Sequence, residues 1–171
     1  MKIVFKLRDE LRNHLDHVCE TRRDTVDPSK PATGLSGRYG LFGSLEWWGN
    51  VAQEKMPLQR VSGTVEAVHV AGTDEAVVQA VDVRSADGKV QRIEVRARCE
   101  PGAAPLLVAG DTVSILCALD ELKRQPAPDG GLNVARIALE IAVPAVPAAA
   151  PAGVGSTQAS TGSAELHRSG K

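Results

Sequence analysis

Few residues in this chain have the types and spacing that catalysis or metal binding requires. His14, His17, Cys19 and Glu20 form the densest group of potential ligands. On a helix His14 and His17 share a face, whereas Cys19 turns away from it. No second Cys/His pair is present to close a tetrahedral shell. The group reads as polar residues on a helix surface, and neither metal nor cofactor is expected. His69 stands alone on a strand pattern. A nucleophile elbow, a phosphate loop and a carboxylate pair in a recognisable frame are all missing, so the expectation is a protein that is not an enzyme.

Two other groups of residues carry binding chemistry. Arg92, Arg96 and Arg98 recur at every second or fourth position of a strand pattern, with Lys89 at the hairpin before it. On a sheet they would form one outward cationic row able to meet phosphates. The second group is Gly37-Arg38-Tyr39-Gly40-Leu41-Phe42-Gly43-Ser44-Leu45-Glu46-Trp47-Trp48, which holds four of the five Phe, Tyr and Trp residues. Tyr39, Phe42, Trp47 and Trp48 are flat groups on which nucleic-acid bases can stack, each stacked base contributing on the order of 1–3 kcal/mol. Both groups have plainer readings. Arg on an exposed strand is ordinary solvated surface, here balanced by Asp82 and Glu94. One of the two Trp residues is expected to serve structure, capping the bottom of a barrel or mediating self-association.

Composition sets bounds on these readings. The chain has 171 residues and a formal net charge of −1. From Val61 to Val143 there are eight basic and twelve acidic residues, a balance of −4, and from Met1 to Arg60 ten and eight, a balance of +2. A polyanion would therefore have to find a local patch. Cys19, Cys99 and Cys117 are widely spaced and odd in number, as in a reducing cytoplasm. No apolar run approaches a membrane span, so no membrane partner is expected.

Four segments must position these residues. Residues 1–26 are read as an amphipathic helix region, with a short strand over 1–6 as the alternative for its start. Leu7, Leu11, Leu15 and Val18 then predict an amphipathic helix from about Arg8 to Arg22. Residues 27–58 are a glycine- and aromatic-rich loop in which regular structure is not expected over most of its length. Residues 59–143 carry five strand patterns: 60–70, 76–84, 90–99, 112–119 and 132–141. Asp87-Gly88 marks a tight hairpin between the second and third. In the third strand Ile93, Val95 and Ala97 alternate with the Arg and Glu residues. Residues 144–171 are Ala, Pro, Gly, Ser and Thr for the most part, and disorder is expected there.

The order of the five strands resembles the OB fold, and in particular its bacterial single-stranded DNA-binding branch. The residues that carry this resemblance are Val61-Ser62-Gly63-Thr64-Val65, Asp87-Gly88, Gly110-Asp111-Thr112-Val113 and Leu132-Asn133-Val134-Ala135-Arg136-Ile137. It implies a five-stranded OB-type barrel, which with the expected N-terminal amphipathic helix and disordered tail makes a mainly β protein. It also implies single-stranded DNA as ligand, met on the barrel by Lys89, Arg92, Arg96 and Arg98. The likeness does not reach the first fifty residues, so stacking would fall to Tyr39, Phe42, Trp47 and Trp48, with Arg38 beside them, brought over the barrel by the loop. An accessory role in replication, recombination or a mobile element would follow, as a homo-oligomer or with a protein partner. Two features depart from that branch. No aromatic residue lies beyond Val61, and the chain ends Glu165-Leu166-His167-Arg168-Ser169-Gly170-Lys171 instead of in an acidic tip. The second reading is a protein-interaction module with no nucleic-acid ligand, its interface formed by the N-terminal helix and the aromatic loop.

Overall fold

The computed structural model describes residues 1–71, 77–98 and 104–145. The expected disordered tail beyond residue 145 lies outside them. In chain order the elements are β1 (Lys2–Lys6), α1 (Leu7–Asn13), α2 (Leu15–Val26), α3 (Leu45–Ala52), β2 (Leu58–Ala71), β3 (Val77–Arg84), β4 (Val90–Arg98), β5 (Thr112–Glu121) and β6 (Val134–Val143).

Strands β2 to β6 close into a five-stranded barrel. β2 pairs antiparallel with β3, and β3 with β4. The ring closes through a parallel contact at Glu94 and Ile137 between β4 and β6, then through antiparallel β6–β5 and β5–β2 pairs. This is the strand order of an OB-type barrel, and the mainly β architecture is as expected. β2 makes the closure possible because it serves two neighbours. Its first half, from Leu58 to Thr64, pairs with β5, and its second half, from Thr64 to Ala71, pairs with β3. Gly63 sits at the changeover, where a Cβ would lie 2.0 Å from the Arg84 carbonyl oxygen. Only glycine lets the two backbones approach so closely.

The barrel interior is aliphatic, with Val65, Val81, Val83, Ile93, Val95, Ile115, Ile137 and Ile141 all nearly or wholly buried. β4 alternates as its sequence predicts: Ile93, Val95 and Ala97 face inward, while Arg92 is exposed and Glu94 and Arg96 are half-buried. β5 and β6 behave differently. Val113, Ser114 and Ile115 are buried in succession, as are Ile137, Ala138 and Leu139. Successive burial means that both faces of these strands are covered.

The cover is the N-terminal segment. β1 pairs antiparallel with the end of β6, from Lys2 opposite Val143 to Lys6 opposite Glu140, beyond the point that β4 reaches. Leu7, Leu11, Val18, Leu35, Phe42, Trp47 and Met56 are buried in the same core cluster as the barrel residues. A bridge between Leu35 and Leu122 ties the loop to the end of β5. The helix expected as one piece from Arg8 to Arg22 is two. His14, at φ −135° and ψ 74°, separates α1 from α2. The break shifts the helical phase, so Leu7, Leu11 and Val18 remain buried while Leu15 is 65% exposed.

Candidate functional site

The Gly- and aromatic-rich stretch folds as a series of turns ending in α3. Gly43, at φ +71°, sits where a Cβ would meet Leu11 and Val18, so the turn lies flat on α1 and α2. Ser44 then starts the helix: its Oγ accepts a hydrogen bond from the Trp47 amide at 3.1 Å, and Glu46 occupies the first turn. Within the stretch read as irregular, this local cap and the apolar pattern of Leu45-Glu46-Trp47-Trp48 therefore produce a regular element.

α3 sends its two Trp residues to different places. Trp47 is fully buried, packs edge-on against Phe42 at 5.1 Å, and donates its indole Nε1–H to Asp120 Oδ2 at 2.9 Å. Trp48 is half-buried, meets Trp47 edge-on at 4.9 Å and lies 4.5 Å beneath the exposed Arg8 guanidinium. Tyr39 is likewise half-buried, with Arg38 over its ring at 5.6 Å. Arg38 in turn pairs with Glu121 at 2.8 Å, and Asn50 of α3 donates to the Tyr39 carbonyl at 2.9 Å. In the sequence between Tyr39 and Trp48, Leu41 and Leu45 are 37% and 93% exposed. One short segment thus leaves an Arg and two Leu side chains exposed and a Tyr and a Trp half-buried.

The residues singled out in the sequence separate into three places. Lys89 and Arg92 lie on the hairpin and the open face of the β2–β3–β4 sheet. There Arg92 grips Asp82 through Nε at 2.8 Å and Nη2 at 3.1 Å, and His69 Nε2 lies 2.9 Å from the same carboxylate. Hydrogen bonds from Arg92 and His69 hold the Asp82 pKa down at about 2. Arg96 lies elsewhere: its guanidinium donates to the Thr21 hydroxyl and to Glu94, and rests 4.8 Å over the Phe42 ring. Phe42 and Trp47 lie in the core, while Arg38, Tyr39 and Trp48 lie on the surface segment just described. The Arg98 side chain lies outside the described residues. The expected cationic row is therefore not one surface: Arg92 is neutralised on an open face, and Arg96 is tucked beneath α2. Arg8, Leu41 and Leu45 were not anticipated. For Leu45 the signal was present, since it directly follows a helix-capping serine.

Asp120 is the acceptor of the Trp47 indole hydrogen bond. It is fully buried, and burial raises its pKa, with Glu121 and Glu94 adding to the lift against the indole hydrogen bond. A carboxyl whose folded pKa lies above its unfolded value favours the native state most when protonated. Its contribution to stability therefore grows as pH falls from neutral through the folded pKa, and is lost as pH rises through it. Asp120→Asn keeps an acceptor for Trp47 and removes the titration. Urea unfolding between pH 7 and pH 4.5 should show a stability gain in the parent relative to Asp120→Asn. Parallel profiles would contradict a raised pKa.

The family model described as immunity protein RhsI2 matches residues 1–144. The chain belongs to the RhsI2 immunity protein family. No curated protein matches it. Membership corrects the resemblance drawn from strand order, because the family is not that of the single-stranded DNA-binding proteins. It also overturns the expectation of single-stranded DNA binding as the function. The physical reason is that the OB-like order describes only the barrel, a scaffold used for many unrelated tasks. The RhsI2 match runs from residue 1, through β1, α1, α2 and α3 as well as the barrel. Among the described residues no helix is long and apolar enough to cross a membrane.

Proposed function

We propose that this chain is a non-enzymatic immunity protein that neutralises an Rhs toxin by binding it. The observation that carries this reading is the RhsI2 match over residues 1–144, which takes in the N-terminal layer together with the barrel. The contact surface we assign is the segment from Arg38 to Trp48 with Arg8 beside it. Its Arg8–Trp48 and Arg38–Tyr39 pairs are of the residue types that dominate protein–protein binding energy, and its exposed Leu41 and Leu45 add apolar area to be buried on docking. The rings are held from below by α3 and the barrel end, so little ordering entropy is lost on docking. Cys19 and Cys117 are free thiols, in keeping with a site of action in the cytoplasm.

Leu45 is the cleanest probe of this surface because it is 93% exposed. Leu45→Lys and Leu41→Lys should leave the melting temperature within a degree or two and weaken toxin binding by about tenfold or more each, or roughly 1.4 kcal/mol. Surface plasmon resonance on an immobilised, catalytically disabled Rhs toxin measures this. Wild-type affinity in both variants would remove the Arg38–Trp48 surface from the account. Failure of the parent chain to bind would remove the toxin-binding reading itself.

A further inference from the structure

Helix α2 meets β4 through Arg96 and turns little apolar surface inward. Among its described side chains Val18 and Thr21 are buried, Arg22, Asp24 and Thr25 are half-buried, and Asp16, Glu20 and Arg23 are exposed. Its outer side carries Leu15 and Val26, 65% and 64% exposed, and the exposed Cys19. A helix normally docks through its apolar stripe. This one is held chiefly by polar contacts. The Arg96 guanidinium grips the Thr21 hydroxyl, and Arg22 Nε donates to the Phe42 carbonyl at 2.9 Å. At the far end the Lys123 ammonium donates to the carbonyls of Asp24, Asp27 and Lys30.

The helix also has a joint at each end. His14 breaks the helical path from α1, with no side-chain cap, and Asp27 is already extended at φ −78° and ψ 110°. Beneath α2 an open cleft of about 160 Å³ is lined by Thr21, Asp24, Leu35, Glu94, Arg96 and Leu122. The neighbouring helices are anchored differently, α1 by Leu7 and Leu11, and α3 by Trp47. A segment that buries little apolar surface and is secured by polar groups opens at lower free energy than the core beside it.

We propose that α2 is a cover that comes away between His14 and Asp27 and, as a detached helix of 12 residues, unravels while the barrel, α1 and α3 stay folded. Opening breaks the Arg96–Thr21, Arg22–Phe42 and Lys123–Asp24 contacts and bares Phe42 and the cleft floor. Water replaces each of the lost partners, so the closed and open forms stay close in free energy. The inference concerns the isolated chain and does not rest on the toxin-binding reading.

Hydrogen exchange of the full chain, read by mass spectrometry, tests it. The amides from Cys19 to Val26 should exchange about 100-fold or more faster than those of α3 and β5. Lys123→Met should speed α2 exchange by about a further tenfold and leave β5 and β6 unchanged. Thr21→Val, which removes a different contact, should do the same if Lys123→Met does not fold. Exchange of α2 at the rate of β5 in the parent chain would overturn the proposal. So would a variant that speeds α2 and the barrel strands equally.

Discussion

Replacing Trp47 with alanine should cost about 3–5 kcal/mol, the range for deleting a large buried aromatic side chain. The top of that range is expected here for two reasons. The indole is wholly buried between Phe42 and Trp48, so its removal leaves a cavity at the junction of α3 and the barrel. It also supplies the hydrogen bond to the buried Asp120 carboxyl at 2.9 Å. Trp47→Ala therefore combines a void with a stranded polar group. Against a typical total of about 5–15 kcal/mol, such a loss leaves little native protein under mild denaturation. Trp47→Phe separates the two contributions, since it fills part of the space and gives up the hydrogen bond. Urea unfolding should rank the parent above Trp47→Phe and Trp47→Ala below both. Equal stability of the parent and Trp47→Ala would mean that α3 does not hold the barrel end.

Gly63→Ala should be comparably damaging by a different route. A Cβ at this position would sit 2.0 Å from the Arg84 carbonyl oxygen, a backbone atom held in the β2–β3 ladder. A flexible neighbouring side chain could swing aside, but this oxygen moves only if two strands separate. Overpacking in a core costs roughly 1–3 kcal/mol, and a backbone clash at the barrel corner should reach about 3 kcal/mol or more. For a chain of this size that corresponds to a fall in Tm of about 6–12 °C. Gly49 is the control. It lies in α3 with nothing within 4 Å of its would-be Cβ, so Gly49→Ala should stabilise the helix by up to about 1 kcal/mol. Matching melting curves for Gly63→Ala and the parent would refute the closure geometry.

How much of this could be read from the sequence depends on which physical signal each element left. β4 was legible because one face is core and the other is not, which writes Ile93, Val95 and Ala97 in strict alternation. The Asp87-Gly88 hairpin was legible because Gly88 takes φ +85°, a local demand that names its own residue. The break at His14 was not, because nothing in the helical spacing of Leu7, Leu11, Leu15 and Val18 announces that one of the four turns outward. Arg96 shows the same limit. Alternation placed it on the outer side of β4, but not beneath Phe42, Thr21 and α2.

The candidate surface was half legible. Tyr39 and Trp48 stood out by type, whereas Leu41 and Leu45 matter through an exposure that composition does not encode. The successive apolar residues of β5 and β6 were the missed sign that the first fifty residues cover the barrel. Function was the least legible part, since a five-stranded barrel fits a nucleic-acid ligand and a protein partner alike.

Calorimetric titration of the purified chain with its cognate Rhs toxin, beside a titration with a single-stranded oligonucleotide in the same low-salt buffer, tests the central claim most directly. The account predicts saturable one-to-one heat with the toxin and none with the oligonucleotide. Heat with the oligonucleotide that fades as salt rises, with no heat from the toxin, would contradict it.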